Sequence, residues 1–459
     1  MNTSTAHVPE SLYASAEKIY PRSVQGRFAR LRKLAVWALL GFFYVTPWLR
    51  WDGIPLVLLD LPARRFHVFG MTLVPQDLFL LTGVLVIAAL TLFLVTTLAG
   101  RLWCGYACPQ TVWTELFMWI EHWTEGDRHQ RMKLDKAPWS ANKLLRKGGK
   151  HLLWVLLAWW TGLTFVGFFT PMPGLVADAA QLQLGGWPLF WSIFYGFATW
   201  GFAGFMREQV CRYMCPYARF QSVMFDKDTL IISYDALRGE PRKHLAKREK
   251  TAAGDCIDCL RCVQVCPTGI DIRDGLQYEC IACAACADAC DEVMDRVGKP
   301  RGLVRYSSTH RDEGGELRLF RPRAVGYAIV WLAVVAGFAT LVLTRSDMEL
   351  DVIRDRHTMA RQVGGGYVEN IYTVKVTNKA SSPREVRLSA VDERGQQVQL
   401  SRELWTVAPY ASLREVISVR VPPLAGAATM GLRFSAHWTD DLEGAGAQAR
   451  ARFIGQEIP

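Results

Sequence analysis

The chain has 459 residues, 50% of them hydrophobic, and it combines 17 Trp with 21% charged residues. That mixture argues against one compact soluble globule and for apolar membrane segments joined to soluble domains. The 53 Lys and Arg against 43 Asp and Glu give a net charge of +10, but the basic residues lie beside apolar runs, which favours a membrane-lipid surface over nucleic acid.

The first 33 residues are polar and show no signal peptide. Uncharged apolar runs follow at Leu34–Leu49, Leu78–Gly100, Leu152–Phe169, Leu184–Met206 and Ala324–Thr344. A helix needs roughly 20 such residues to cross a bilayer, so five spans are predicted, the first and third being short. Lys and Arg number 6 before the first span, 3 in the first loop, 9 in the second and none in the third. The basic side is the cytoplasmic one. This puts the N-terminus and residues 207–323 inside, and everything after Arg345 outside.

Directly after the second span stands Cys104-Gly105-Tyr106-Ala107-Cys108-Pro109, and after the fourth stands Cys211-Arg212-Tyr213-Met214-Cys215-Pro216. The recurrence of Cys, Tyr, Cys and Pro after each pair of spans reads as two parallel repeats that bring the motifs together. If each pair lies on one helix, its i and i+4 Cβ atoms are about 5–6 Å apart, too far for a disulfide, and a metal bridges them better. Four thiolates suit a soft ion, copper(I) first and zinc second, with a redox-active dithiol as the alternative. After the first motif, Trp113, Leu116, Phe117, Ile120 and Trp123 recur at helical spacing with Glu115 and Glu121 between them, as in a helix lying along a membrane surface. His122 and His151 read as polar tips near the headgroups rather than haem ligands.

The basic run from Arg238 to Lys250, with Arg242, Lys243, Lys247 and Arg248, reads as a solvated, lipid-facing stretch or a dock for an acidic electron donor. Next comes a C-x2-C-x2-C-x3-C-P run, Cys256, Cys259, Cys262 and Cys266, with the same spacing repeated 24 residues later at Cys280, Cys283, Cys286 and Cys290. Three cysteines at this spacing wrap one face of a cubane while the fourth reaches the other cluster. The expected ligand sets are Cys256, Cys259, Cys262 and Cys290 for one [4Fe-4S] cluster, and Cys280, Cys283, Cys286 and Cys266 for the second. Asp291 stands where the usual pattern has Pro, and all four thiolates remain. Zinc sites rarely interleave two such runs.

Beyond the fifth span, Tyr372–Val376, Arg384–Leu388 and Val416–Val421 alternate as strands, with a hairpin signal at Glu393-Arg394-Gly395. This predicts a β-sandwich of immunoglobulin-like size. His357, Met359, Met430 and His437 form no ligand spacing, so the domain reads as a module for contacting another protein.

The expected fold is a multidomain membrane protein: a cytoplasmic segment (1–33), a membrane domain with four spans and both motifs (34–237), a bacterial ferredoxin-like insert with two clusters (238–323), a fifth span (324–344) and a periplasmic immunoglobulin-like domain (345–459). This order, and the placing of the ferredoxin run relative to Cys104, Cys108, Cys211 and Cys215, resembles the CcoG/FixG/RdxA family of cytochrome c oxidase accessory proteins over nearly the whole chain. Membrane ferredoxins of nitrate and nitrous-oxide respiration share the cysteine pairs but not the outer domain. The resemblance implies a cupric reductase in the bacterial inner membrane, delivering Cu(I) for the copper site of a C-family (cbb3-type) oxidase. Cys104, Cys108, Cys211 and Cys215 are the expected copper-binding and catalytic residues. Expected partners are a cytoplasmic electron donor, copper ion, and copper chaperones or oxidase subunits; a homodimer is compatible with this reading. The rival readings are a quinol-linked electron-transfer subunit and an assembly scaffold with structural clusters.

Overall fold

The computed structural model describes residues 18–51, 53–242, 253–316, 318, 320–355, 360–422, 429–440 and 446–455. Lys243, Lys247, Arg248, His357 and Met359 lie outside the described residues. The chain divides into two compact units, one of residues up to 49 plus 86–333, the other of residues 50–85 plus 334 onward. The loop after the first expected span thus belongs with the sandwich unit, a grouping the sequence did not suggest.

Three expected spans fall on Leu78–Ala99, Gly186–Met206 and Pro322–Leu343, which among the described residues are the helices long and apolar enough to cross a membrane. The other two expected spans fall on Arg27–Val45 and Ala141–Val166. Both helices are basic in their first half, through Arg27, Arg30, Arg32 and Lys33 in one and Lys143, Arg146, Lys147 and Lys150 in the other. Ser140 caps the second, its side chain accepting from the Lys143 N–H. This helix crosses Gly186–Thr199 through small residues: a Cβ added at Gly162 would collide with the Ser192 carbonyl, and one at Gly196 would sit 3.1 Å from that of Ala158. Ala158/Gly162 and Ser192/Gly196 are both four residues apart, the small-xxx-small pattern that lets backbones approach.

The helix Pro109–Glu125 buries Phe117 against Trp154 and Ala203. Glu121, expected on a polar face, is instead 1% exposed, and its carboxylate is shared by Arg131 and Arg207 at 2.9 Å each, with Lys150 at 3.7 Å. These cations hold it below the usual carboxylate range against the opposing effect of burial.

The ferredoxin insert is framed by an antiparallel ribbon, Ile231–Tyr234 with Val304–Ser307, and carries helices Arg261–Gln264 and Ala285–Arg296. Its apolar core includes Ile232, Ile272, Met294 and Leu303. The helix Arg27–Val45 starts inside this insert, for the Asp288 carboxylate accepts from the Phe28 and Ala29 N–H groups at 3.1 and 2.6 Å. That places a negative charge at the positive end of the helix.

In the second unit, a sandwich pairs the sheet Gln399–Leu400, Ser412–Val421, Tyr367–Asn378, Met348–Arg354 with the sheet Leu404–Val407, Arg384–Val391, Thr429–Trp438, Ala447–Ile454. All three predicted strand bursts lie within these strands, and Gly395 sits in the expected turn at φ +80°. Tyr372, Phe434 and Phe453 fill the core. Met430 lies partly buried against it. A three-stranded meander, Val57–Asp60, Arg65–Val68 and Met71–Leu73, precedes the turn Pro75–Asp77. Buried Asp77 meets Arg345 at 2.7 Å and Lys379 at 2.8 Å.

Candidate metal and electron-transfer centre

Two small cavities lie inside the ferredoxin insert. Cys256, Cys259, Cys262 and Cys290 line one, with Tyr234, Val293 and Leu303. Cys266, Cys280, Cys283 and Cys286 line the other, and Cys262 lines both. The fourth cysteine of each run therefore sits with the first three of the other run. Around Cys259 and Cys283 the chain takes the same turn: Asp258 and Leu260, then Ala282 and Ala284 exactly one repeat later, all have positive φ. Left-handed backbone at non-glycine residues is uncommon and is found where surrounding structure enforces it.

Burial pushes the Cys262 thiol up to about 11 and those of Cys280 and Cys290 up to about 12. Clustered apolar-shelled thiols of this kind are poor free acids and good ligands for iron, whose charge draws off the proton. Among the described residues, no three His, Cys, Asp or Glu side chains are spaced to hold a single ion. The eight thiols, gathered around two cavities at the C-x2-C-x2-C-x3-C spacing, suit iron–sulfur clusters.

The motif cysteines lie against this insert. The pairs are not on single helices, as expected from an i, i+4 reading: Cys104 is in the short helix Leu102–Tyr106, whereas Cys108 is extended and begins the helix Pro109–Glu125. Cys211 and Cys215 repeat this, in a wide turn Val210–Met214 and at the start of Pro216–Met224. The cause is Pro109 and Pro216, which lack an N–H and so open helices rather than continue them. The four thiols are free and partly buried. Burial, then the neighbouring Cys108, holds Cys104 up near 12, with Cys211 adding to it; burial and the nearby Cys108 and Cys215 hold Cys211 up at about 11. The two motifs thus feel one another. Cys104 Sγ also donates to Gln221 Oε1 at 3.3 Å, across to the helix that follows the second motif.

Contact with the second-cluster loop is intimate. A Cβ on Gly105 would meet the Ile281 carbonyl at 2.7 Å and Cys283 Cα at 2.9 Å. Tyr306 donates to the Ala282 carbonyl at 2.6 Å and to Tyr106 Oη at 3.3 Å. The buried Arg101 guanidinium donates to the carbonyls of Tyr278 and Ala218, and Arg212 pairs with Glu279 at 2.8 Å. Arg32 donates to the Cys283 carbonyl at 2.5 Å. The two motif tyrosines diverge, for Tyr213 is 65% exposed.

Arg32, Arg101, Gln221 and Asp288 were not singled out by sequence. Each is a lone polar residue without motif spacing, so only tertiary packing reveals its place. His122 lies 4.0 Å from Asp127, and His151 stacks on Phe205 at 5.8 Å. Arg242 is tied to Glu240 at 2.8 Å.

A membrane iron–sulfur electron-transfer protein is the class this architecture defines. Family models agree: one described as a 4Fe-4S dicluster domain matches residues 206–309, one described as a 4Fe-4S binding domain matches 81–126, and one described as an IG-like fold at the C-terminal of FixG matches 338–456. The chain is 40% identical to the nitrogen fixation protein FixG of Rhizobium meliloti over 84% of its own length and 81% of that protein's. It is 41% identical to protein RdxA of Cereibacter sphaeroides (83% and 84%) and 39% identical to protein RdxB of the same organism (93% and 93%). The chain belongs to the FixG/RdxA family.

Proposed function

We propose that this protein is a cupric reductase of the inner membrane. In this reading it takes single electrons from a cytoplasmic donor and reduces Cu(II) at the Cys104/Cys108 and Cys211/Cys215 motifs for assembly of a cbb3-type oxidase. The observation that carries it is the packing of Gly105 directly on the backbone at Ile281–Cys283. It sets Cys104 and Cys108 beside the loop expected to hold the second cluster, with Cys211 and Cys215 next to them. When bound, the clusters supply electrons one at a time, which matches the one-electron change of copper. Cys256, Cys259, Cys262 and Cys290 would hold one cluster and Cys266, Cys280, Cys283 and Cys286 the other. The motif thiols retain the product, since thiolates prefer Cu(I). Five spans would leave the ferredoxin insert inside and the sandwich in the periplasm, where it contacts a partner protein.

The test is anaerobic. The reduced protein is mixed with Cu(II), and loss of cluster absorbance is followed against Cu(I) trapped by a chelating dye. One Cu(I) per electron lost, abolished by Cys→Ser changes at 104, 108, 211 and 215, is the expected result. Full reduction in those variants would refute the site.

The match of a 4Fe-4S binding description to 81–126, a stretch containing only Cys104 and Cys108 as cysteines, favours a second reading. In it the four motif thiols jointly hold a third cluster. Iron analysis separates the two, with about eight iron atoms per chain for two clusters and about twelve for three.

A further inference from the structure

The helix Arg27–Val45 has two unlike faces. One, through Ala29, Arg32, Val36 and Leu40, is buried. On the opposite face Arg27, Arg30, Leu31 and Leu34 follow one another at helical spacing, and all four are exposed, Leu34 by 67%. The same stripe continues through Ala38, Phe42 and Val45, also exposed, so it carries only apolar side chains beyond Arg30. With a rise of 1.5 Å per residue, both arginines lie within about 10 Å of Leu34 along the helix axis.

A cleft of about 530 Å³ opens at the head of this stripe. Arg27, Arg30, Leu31 and Leu34 line it together with Arg301 of the ferredoxin insert, and among the described residues no carboxylate does. Neither Arg27 nor Arg30 has an ion-pair partner among the described residues. Arg301 uses its Nε and Nη2 on Asp295, at 2.7 Å each, which cancels its charge but leaves Nη1 as a donor. The leading N–H groups of the helix are already taken by buried Asp288, so any anion here meets guanidinium groups alone.

The cleft therefore carries two uncompensated positive charges and a spare donor at the top of an exposed apolar strip. Guanidinium groups present forked N–H donors that match phosphate oxygens, and the strip below offers a bed for a hydrocarbon chain. A zwitterionic headgroup brings a cation of its own to this cleft, whereas a headgroup of net negative charge is drawn in. We propose that the cleft is a binding site for an anionic phospholipid, its phosphate held by Arg27, Arg30 and Arg301 and one acyl chain laid along Leu31, Leu34 and Phe42. Such a lipid touches both the helix and the ferredoxin insert. The inference is independent of the copper reading.

The test titrates the intact, cluster-containing protein in a neutral detergent with phosphatidylglycerol or with phosphatidylcholine of the same acyl chains, and native mass spectrometry reads the bound lipid. Phosphatidylglycerol is expected to bind at least roughly tenfold more tightly, the size expected of two basic residues acting on an anionic lipid. Arg27→Gln/Arg30→Gln is expected to erase that preference, whereas Arg64→Gln/Arg394→Gln, which removes the same charge at exposed positions of the second unit, keeps it. Leu34→Gln is expected to weaken both lipids together. Equal affinity of the two lipids for the wild type overturns the inference by itself, as does a preference that survives the Arg27/Arg30 variant. Glycerol 3-phosphate serves as the competitor without acyl chains. Displacement of phosphatidylglycerol by an equal concentration of it would assign the cleft to a soluble phosphate and overturn the lipid.

Discussion

Gly105 shows how much one missing side chain settles. Its Cα faces backbone atoms of Ile281, Ala282 and Cys283, and backbone cannot swing aside as a flexible side chain can. Gly105→Val is expected to push the first motif off the cluster loop. Cluster content should persist, because the change replaces none of the eight expected iron ligands, whereas copper-driven reoxidation should slow at least tenfold in stopped flow. Unchanged reoxidation would separate the contact from the transfer. Arg101 acts differently, tying the Tyr278 and Ala218 carbonyls together from a buried position. Arg101→Ala leaves both acceptors unpaired and is expected to cost about 2–4 kcal/mol, read as a lowered thermal midpoint. The twelve cysteines were legible in the sequence because ligation demands fixed spacing. Arg101 was not, since a long side chain bonding distant carbonyls leaves no periodic trace.

Among the elements, the short stretches around the motif cysteines could not be settled by spacing, because the i, i+4 reading holds only if a helix runs on through Cys108 and Cys215, and it does not. The prolines at 109 and 216 were visible, and their preference for the first turn of a helix is the signal that outweighs spacing. The crossing of Ala141–Val166 with Gly186–Thr199 was also hidden. Hydropathy marks a helix as apolar but says nothing of which small residues face a neighbour. Gly162→Leu would force a branched side chain into the Ser192 carbonyl, and overpacking of this kind costs roughly 1–3 kcal/mol or more. The expected result is a large loss of folded protein recovered from membranes, with Gly174→Leu, where an added Cβ meets nothing within 4 Å, as the tolerated control.

At the scale of whole units, the sandwich was the most legible part, since alternation reports a sheet with one buried face. Its stability depends on pH through a buried charge that alternation does not show. Glu369 is 1% exposed, with Arg420 at 2.9 Å and Arg361 at 2.5 Å. Burial would raise its carboxyl, but Arg420, Ser418 and Arg361 outweigh that and hold it at about 2. An unfolded Glu titrates near 4.3. The group therefore adds stability that is fully present above about pH 4.3 and lost as pH falls toward 2. Because both arginines are half-exposed, the contribution is about 1–3 kcal/mol. Glu369→Gln should lower the stability of this unit at pH 7 and flatten its decline between pH 4.3 and 2, measured by proteolytic susceptibility of the sandwich in the intact chain.

The Asp288 carboxylate at the head of Arg27–Val45 has a kinetic meaning as well. A redox domain on a slack tether must swing between its donor and its acceptor, and thickening the solvent slows it. Here a helix of the first unit is nailed by its leading turn into the ferredoxin insert, and Arg32 repeats the fastening one turn later at the Cys283 carbonyl. Insert and helix are fastened as one solid body, and in the proposed reductase the transfer from insert to motif should proceed at the same pace in glycerol as in water.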